Sequence, residues 1–292
     1  MRKVILRLLK TTSKPFIGKG FIDKHFHFLI PVFEFFYTLL QKREKIIVKL
    51  PLDLRLKVFS DDPGVGMSLI SRGSFEPALT NIFLKTLRSD RVFLDIGANY
   101  GYYTILASKL VGKSGRVFAF EPDPENIELL QENIALNNSV NVNIVQKVVS
   151  DRSGKIFFES QKVNKGESAI SRGSLGISVE SIALDSFGTK RDIRRVDVLK
   201  IDVEGAEIGV LKGAKKLISE SRELTLFIEY NPSRIEYYGG KPQELMTLLS
   251  ELGFQILNIA DESKGIKLSF SLSNLEETLK HTTYCNLICF KV

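Results

Sequence analysis

Ten residues, VFLDIGANYG from Val92 to Gly101, constrain the fold of this chain more than any other stretch. An apolar run carries an acid, Asp95, near its end and then breaks into glycine, small residues and glycine again. This order is typical of a buried parallel strand that enters a tight turn and a following helix. The turn holds small side chains because something must approach its backbone closely.

The residues after this stretch alternate between short apolar runs and amphipathic runs, which predicts a parallel sheet covered by helices on both faces. The alternation is interrupted at 154–184, where a polar loop separates two further strands. Residues 46–59 alternate apolar and polar side chains and predict short antiparallel strands. The strands predicted after the opening stretch are Arg116–Phe120, Val142–Val149, Lys155–Glu159, Ile177–Leu184, Val196–Ile201, Leu224–Glu229, Phe254–Ile259 and Tyr284–Lys291. The sequence therefore predicts an α/β fold.

The net charge of +7 is concentrated at the N-terminus. Residues 1–50 hold eleven Lys and Arg residues against three acids, so they carry +8 and the other 242 residues carry −1. Within this segment, residues 25–40 are apolar almost all round a helical wheel. These sixteen residues, interrupted by Pro31 and Glu34, are too short for a membrane span, which needs about 20. We expect residues 1–45 to form a basic, aromatic helical extension.

This extension has two interpretations that the sequence leaves open. It packs on the main domain or on a second subunit as a homodimer contact, or it lies on a membrane surface, where flanking bases are attracted to anionic lipid. A nucleic-acid partner is not expected, because the bases are spaced singly among phenylalanines.

The sequence also favours a reducing compartment. Cys285 and Cys289 lie four residues apart in one predicted strand, about 13 Å from each other, which is too far for a disulfide. No secretory signal is recognisable, because Arg7 and Lys10 interrupt the first apolar run. We expect a cytoplasmic protein, with a peripheral membrane location as the variant.

The turn after the first parallel strand indicates the cofactor. Its pattern, D-x-G-x-N-x-G, with Asp95, Gly97, Asn99 and Gly101, differs from the G-x-G-x-x-G of dinucleotide sites. An acid beside the turn suits a cationic sulfonium better than a diphosphate. Glu121, at the end of the next strand, is placed to accept hydrogen bonds from ribose hydroxyls. Together these features predict S-adenosylmethionine.

Five segments in order resemble the FkbM family of S-adenosylmethionine-dependent methyltransferases. They are FLDIGANYGYYTILASKL, FAFEPDPENIELLQENIALNN, VVSDRSG, VDVLKIDVEGAEIGVLKGAKKLI and FIEYN. The resemblance runs from about Gly73 to the C-terminus, and LKIDVEGAEIGVLKGA is its most distinctive part. It implies a class I (Rossmann-like) methyltransferase, with a seven-stranded, mostly parallel sheet whose last strand is antiparallel. It also implies O-methylation, commonly of sugars or natural-product hydroxyls.

Carried over by position, the resemblance also implies a cofactor site. The turn residues line the methionine and ribose portion, and Glu121 binds the ribose. Asp151, after the third strand, contacts the adenine amino group, although Asp-Arg-Ser-Gly is equally a good turn. The cofactor residues are therefore predicted to be Asp95, Gly97, Asn99, Gly101, Glu121 and Asp151.

Candidate catalytic residues follow the fourth and fifth parallel strands, where ligands of open α/β sheets bind. They are Lys200, Asp202, Glu204, Glu207, Glu229, Tyr230 and Asn231. Asp202 is the first choice for activating the acceptor, with Glu204 and Glu229 beside it. Glu204 and Glu207 are predicted on a first helical turn, where acids are favoured by the helix dipole, so Glu207 is equally a structural residue.

A metal site is an alternative for the same residues. Asp202, Glu229 and Asn231 offer the hard oxygen ligands that a divalent cation prefers. Such a cation would lower the pKa of an acceptor hydroxyl. Acids at strand ends are expected in this fold anyway, so the main prediction is a site without metal.

The predicted organisation is an extension over 1–45 and a methyltransferase domain over 46–292. That domain comprises N-terminal strands and a helix at 46–90 and a catalytic core at 91–292. We expect methyl transfer to a hydroxyl of a sugar, glycolipid or small natural product, hence a small-molecule or glycan acceptor. The rivals are an RNA methyltransferase that uses the basic arm, and a non-catalytic membrane-associated or oligomeric binding module.

Overall fold

The computed structural model describes residues 43–160, 169–171, 176–258, 275, 279 and 282–291. The predicted extension over 1–45 lies outside these residues except for its last three. The chain divides into two compact units. The first comprises residues 1–75 and 161–166, and the second comprises residues 76–160 and 167–292.

The described part of the first unit is built on a hairpin. Strands β1 (Lys45–Lys49) and β2 (Arg55–Phe59) pair antiparallel, with a 3₁₀ turn between them, and helix α1 (Val65–Arg72) follows. Leu56 and Val58 of β2 are fully buried, as expected when alternate side chains face one side of a strand. The short antiparallel strands predicted for 46–59 are confirmed.

The second unit is organised around a seven-stranded sheet in the order β12-β13-β11-β10-β3-β4-β5. Six of these strands run parallel, and β13 runs antiparallel between β11 and β12. The predicted fold class is therefore confirmed. The strands are β3 (Val92–Ile96), β4 (Arg116–Phe120), β5 (Val142–Val145), β10 (Val198–Ile201), β11 (Thr225–Tyr230), β12 (Phe254–Asn258) and β13 (Cys285–Lys291).

Helices cover the sheet, which explains why all five residues of β3 and all six of β11 are buried. They are α2 (Pro77–Thr86), α3 (Tyr102–Val111), α4 (Pro124–Leu136), α5 (Leu184–Arg191), α6 (Glu207–Lys212), α7 (Lys215–Glu220), α8 (Pro232–Tyr237) and α9 (Pro242–Glu251). Cys285 and Cys289 are buried free thiols. Within the described residues no helix has the length and apolar character needed to cross a membrane.

Two predicted elements are each divided by the tertiary structure. The predicted strand Val142–Val149 is wrong as a single strand. A tight turn interrupts it, in which the Lys147 amide donates a hydrogen bond to the Val145 carbonyl at 2.8 Å. Its second half is β6 (Val148–Val149) of a separate sheet in the order β6-β9-β7-β8. The other strands of that sheet are β7 (Gly154–Glu159), β8 (Ala169–Ile170) and β9 (Ile177–Ile182).

The second divided element follows β10, where the sequence predicts one helix over Gly205–Ile218 and the structure has two, α6 and α7. Gly213 lies between them, and a Cβ there would be 2.1 Å from the Ser150 carbonyl oxygen. This close backbone approach requires glycine at 213, and glycine weakens a helix interior.

Candidate active site

The turn after β3 is hydrogen-bonded to the end of β4. The amides of Gly97 and Ala98 both donate to the Phe120 carbonyl at 3.0 Å, and the Asn99 amide donates to Glu121 Oε2 at 2.8 Å. The two predicted cofactor elements, the turn and Glu121, are therefore one hydrogen-bonded unit.

The glycines of this turn are required by close contacts within the chain. Gly97 has φ +84°, and a Cβ there would lie 1.9 Å from the Asp202 carbonyl oxygen. Gly101 has φ +89°, and a Cβ there would lie 2.4 Å from Leu130 Cδ1. The expected close approach is thus made by the end of β10 at Gly97 and by α4 at Gly101.

Glu121 is buried and partly satisfied by the chain. Its Oε1 accepts hydrogen bonds from the Asp123 amide at 2.9 Å and from Asn126 Nδ2 at 3.2 Å, while Oε2 accepts from Asn99. A carboxylate has about four acceptor positions, so one remains for a ligand. Asn126 Oδ1 is also buried, without a hydrogen-bond partner in the part of the chain that the structure describes. Two neighbouring acceptors of this kind fit the hydroxyls of a ribose.

Asp95 lies beneath the turn. It is 1% exposed, and Thr104 Oγ1 donates to its Oδ2 at 2.6 Å. On the adjacent strand its register partner is Lys200, whose ammonium lowers the pKa of Asp95, although burial raises it more. The Lys200 ammonium is thus the group that favours the ionised form of Asp95, against the effect of burial.

Lys200 is the cation of a group of neighbouring polar side chains on this face of the sheet, which comprises Lys200, Asp95, Asp202, Tyr103, Glu76 and Asn286. Its Nζ donates to Asp202 Oδ2 at 2.7 Å and lies 4.8 Å from the centre of the Tyr103 ring. Burial lowers the pKa of Lys200, but the carboxyl groups of Asp202, Glu76 and Asp95 together raise it by more, so the net shift of the pKa is upward. The surrounding carboxyl groups thus favour the ammonium form of Lys200.

Sequence reasoning missed two members of this group, Glu76 and Asn286. Glu76 Oε2 accepts from the Tyr103 hydroxyl at 2.7 Å, and its Oε1 accepts from Asn286 Nδ2 at 2.9 Å. Glu76 holds a left-handed backbone with φ +42° immediately before Pro77, a strained conformation of the kind that clusters at functional sites. Glu76 and Asn286 are 210 residues apart, and neither lies in a recognisable motif.

The three predicted catalytic acids converge. One carboxylate oxygen each from Asp202, Glu204 and Glu229 lies within 4.8 Å of the other two, and we call this set the acidic cluster. Burial raises the pKa of Glu229 well above its ordinary value, and the charges of Asp202 and Glu204 add to this rise. Arg234 Nε lies 3.6 Å from Glu204 Oε2.

The loop between β10 and α6 corrects the expected position of Glu204, whereas Glu207 lies on the first helical turn as predicted. Glu204 is outside the helix, with φ +55°, and α6 begins at Glu207. Glu207 is fully buried, and its Oε1 accepts from the amides of Val203 at 3.2 Å and Gly205 at 3.1 Å. Glu207 therefore supports the loop that carries Asp202 and Glu204, which agrees with its structural interpretation.

Two other predicted residues have local partners. Asn231 caps α8, and its side-chain oxygen accepts from the Arg234 amide at 3.3 Å. Asp151 follows β6; it accepts from Ser150 Oγ at 3.0 Å and lies 3.8 Å from Arg152 Nε. The adenine role of Asp151 and the metal role of Asn231 remain predictions.

Comparison with known proteins identifies the family. Residues 95–256, more than half of the chain, match the methyltransferase FkbM domain. The chain belongs to the FkbM family. It is an S-adenosylmethionine-dependent methyltransferase, as its turn and Glu121 predict.

Relatives of this FkbM methyltransferase are distant. Hexuronic acid methyltransferase AglP of Haloferax volcanii is 27% identical over 178 residues, which cover 60% of this chain and 68% of AglP. The 2-O-methyltransferase NoeI of Sinorhizobium fredii is 28% identical over 173 residues, which cover 53% of this chain and 69% of NoeI.

Solved structures are more distant still. An FkbM methyltransferase from Methylobacillus flagellatus is 18% identical, with a TM-score of 0.43 over 69% of this chain and 44% of its own. The present chain thus spans less than half the length of that protein. An S-adenosylmethionine-dependent O-methyltransferase from Thermotoga maritima is 14% identical, with a TM-score of 0.44 over 87% of this chain and 80% of its own.

Cofactor affinity is expected to rise with pH through the titration of Glu121. Burial raises the pKa of Glu121 to about 7, against the opposing effect of its hydrogen bonds from Asp123 and Asn99. Ribose hydroxyls donate to the ionised form, so affinity for S-adenosylmethionine should increase about eightfold between pH 6 and pH 7.5, following the ionised fraction. Isothermal titration calorimetry measures this, and Glu121→Gln is the control that should bind weakly at both pH values. A flat profile in the wild type would assign the ribose contact elsewhere.

Proposed function

We propose that this FkbM methyltransferase methylates a hydroxyl of a sugar, glycolipid or small natural product. The observation that carries the proposal is the position of Asp202, whose backbone carbonyl contacts the cofactor turn at Gly97 and whose side chain belongs to the acidic cluster. A group that acts on an acceptor must lie beside the cofactor in this way. The sugar class is supported by the names of two relatives, hexuronic acid methyltransferase AglP and 2-O-methyltransferase NoeI.

The residues of the chain divide into a cofactor set and an acceptor set. The turn, Glu121 and Asn126 hold the cofactor; when bound, S-adenosylmethionine supplies a methyl group on a cationic sulfur. Asp202 faces the acceptor, because its side chain is 30% exposed whereas Glu229 is 8% exposed. The hydrogen bond from Lys200 Nζ fixes the orientation of the Asp202 carboxyl group, which can take the proton of the acceptor hydroxyl. Glu204 and Glu229 complete the acceptor set.

The direct test uses cofactor labelled on its methyl group. The purified full chain is incubated with free hexuronic acids, neutral sugars, sugar-bearing lipids and RNA, and the labelled product is identified by mass spectrometry. The proposal expects the label on a hydroxyl oxygen of a sugar, lipid-linked sugar or small natural product. Label in RNA, or on nitrogen or carbon, would contradict it.

Replacement of Asp202 by asparagine should lower kcat by about 100-fold or more, because general-base catalysis contributes on this scale. Affinity for S-adenosylmethionine should stay within about threefold of wild type, because the Asp202 backbone that contacts the turn is kept. Steady-state kinetics with the labelled acceptor and cofactor titration check the two expectations. Glu223→Gln, at a surface carboxylate that is 82% exposed, is the control for charge removal. An unchanged kcat for Asp202→Asn would reject Asp202 as the activating group.

The extension over residues 1–45 remains a proposal, as does a cytoplasmic location with or without membrane attachment. Flotation of the full chain with anionic liposomes, compared with a chain that lacks residues 1–45, separates a membrane contact from a homodimer contact. A membrane contact predicts flotation that the truncation removes. A homodimer contact predicts no flotation and a lower molecular mass in solution after truncation.

A further inference from the structure

The acidic cluster brings together three carboxyl groups, and two of them are paired with cations among the described residues. Asp202 has Lys200 at 2.7 Å, and Glu204 has Arg234 at 3.6 Å. Glu229 has no ion pair with a lysine, arginine or histidine in the part of the chain that the structure describes. Lys200 and Arg234 therefore pair with Asp202 and Glu204, whereas Glu229 has no cation partner among the described residues.

Glu229 is the unusual member of this set. It ends a strand whose residues are all buried, and the residue itself is only 8% exposed. Its Oε2 is buried and accepts no hydrogen bond from any described residue. A buried carboxylate without a hydrogen-bond partner is costly, and such groups are normally paired or coordinate a metal. Since one Glu229 oxygen lies within 4.8 Å of oxygens of both Asp202 and Glu204, the carboxylate faces the cluster.

The spacing of the cluster suits a cation with oxygen ligands. Ligands on opposite sides of Ca²⁺ lie about 4.6–5.2 Å apart, and those of Mg²⁺ about 4.0–4.2 Å apart, from their usual bond lengths. All three oxygens lie within 4.8 Å of one another, so no pair is further apart than opposite ligands of Ca²⁺ can be, and a pair at that limit would have to move about 0.6–0.8 Å closer around Mg²⁺. Carboxylates without thiol or imidazole ligands select Mg²⁺, Ca²⁺ and Mn²⁺ over zinc or copper.

We propose that Asp202, Glu204 and Glu229 bind one divalent cation of this oxygen-preferring class. In this set Glu204 is the third ligand in place of Asn231, which the sequence suggested and whose side-chain oxygen caps α8. The left-handed backbone of Glu204 and the Glu207 hydrogen bonds that support its loop hold this ligand in place.

The proposed cation adds a mechanism to the proposed function, and its role in catalysis rests on that function. It would bind the acceptor hydroxyl oxygen and lower the pKa of that hydroxyl, so that the proton leaves to solvent. The oxygen then forms a bond to the methyl carbon as the carbon–sulfur bond breaks, and the neutral thioether leaves. Asp202 acts in this case as a ligand and not as the group that takes the proton.

Binding of Mn²⁺ to the full chain, freed of metal by dialysis against a chelator, tests the site without any methyl transfer. Electron paramagnetic resonance of free Mn²⁺ should show one saturable site per chain, and Mn²⁺ should raise the Tm. Glu229→Gln and Glu204→Gln should each weaken Mn²⁺ binding at least tenfold and remove most of the Tm increase. Glu223→Gln, at the exposed carboxylate away from the cluster, should leave both unchanged.

The Tm of each variant without metal shows whether a loss of Mn²⁺ binding results from a loss of folding. Glu229→Gln should fold with a metal-free Tm equal to or above that of the wild type, because glutamine has nearly the same shape and removes a buried carboxyl group that has no cation partner among the described residues. The proposal would be overturned if the wild type showed no saturable Mn²⁺ binding. It would also be overturned if Glu229→Gln and Glu204→Gln both bound Mn²⁺ as tightly as the wild type. Mn²⁺ binding without methylation of any sugar would instead leave the metal site standing and contradict the proposed acceptor.

Discussion

Replacing Gly97 with alanine is expected to abolish S-adenosylmethionine binding and to lower the free energy of unfolding by about 3 kcal/mol or more, from left-handed strain and overpacking together. The backbone at Gly97 has φ +84°, and the new Cβ would lie 1.9 Å from the Asp202 carbonyl oxygen. That oxygen belongs to backbone whose own amide donates to the Ile96 carbonyl at 3.0 Å, so it has little freedom to move. The turn must therefore shift, which breaks its bonds to Phe120 and Glu121.

Two measurements check this prediction. Calorimetric titration with S-adenosylmethionine should show at least a 100-fold loss of affinity, and circular dichroism in urea should report the stability, since the chain contains no tryptophan. Gly253→Ala is the matched control. Gly253 has φ +79°, but among the described residues the only atom that its Cβ would meet within 4 Å is Lys291 Cε at 4.0 Å. It should cost about 1–2 kcal/mol for the left-handed strain and leave the affinity unchanged. Wild-type affinity in Gly97→Ala would show that the turn does not hold the cofactor.

Replacing Lys200 with methionine should destabilise the protein by about 3–5 kcal/mol, the cost of removing one partner from a buried ion pair. Methionine keeps most of the length of the side chain but removes the ammonium. Lys200 is 4% exposed and is the cation that Asp202, Glu76 and Asp95 share. Without it, three carboxyl groups on one face of the sheet lose their common counter-charge. Urea unfolding followed by circular dichroism measures the change.

The chain offers a matched surface pair for comparison. Lys212 Nζ lies 2.6 Å from Glu244 Oε1, but both side chains are about two-fifths exposed. Lys212→Met should therefore cost no more than about 1 kcal/mol. Adding Glu76→Gln to Lys200→Met should recover part of the loss, because it removes one of the uncompensated charges. Equal effects of the two lysine variants, or additive effects in the double variant, would contradict the shared role of Lys200.

Several features of the site could be predicted because they depend on neighbouring residues in the chain. The strand, turn and helix around Val92–Gly101 follow from an apolar run that ends in small residues, and the parallel sheet covered by helices follows from the alternation of strands and helices. The carboxyl ends of parallel strands meet at one edge of a sheet, so Asp202 and Glu229 were expected on the same side as the turn. The acidic cluster agrees with that expectation.

Other features depend on contacts that no local pattern encodes. The backbone of Glu204 is left-handed, although its sequence neighbourhood predicts a helix start, because the loop is held by Glu207. The strand expected over Val142–Val149 divides because its second half pairs with β9. Glu76 joins the site through Tyr103 and through Asn286, 210 residues further on.

The sequence by itself determined the fold class, the family and the cofactor, since periodicity and short motifs are local and survive in one dimension. Only the tertiary structure decided how the cofactor turn and the acceptor side are joined. Gly97 is glycine because the Asp202 carbonyl occupies the place of its Cβ, and the Asp202 side chain accepts a hydrogen bond from a lysine that two other carboxyl groups share. Such contacts join strands more than 100 residues apart in the sequence. Burial then sets the strength of the hydrogen bonds and electrostatic interactions between these side chains.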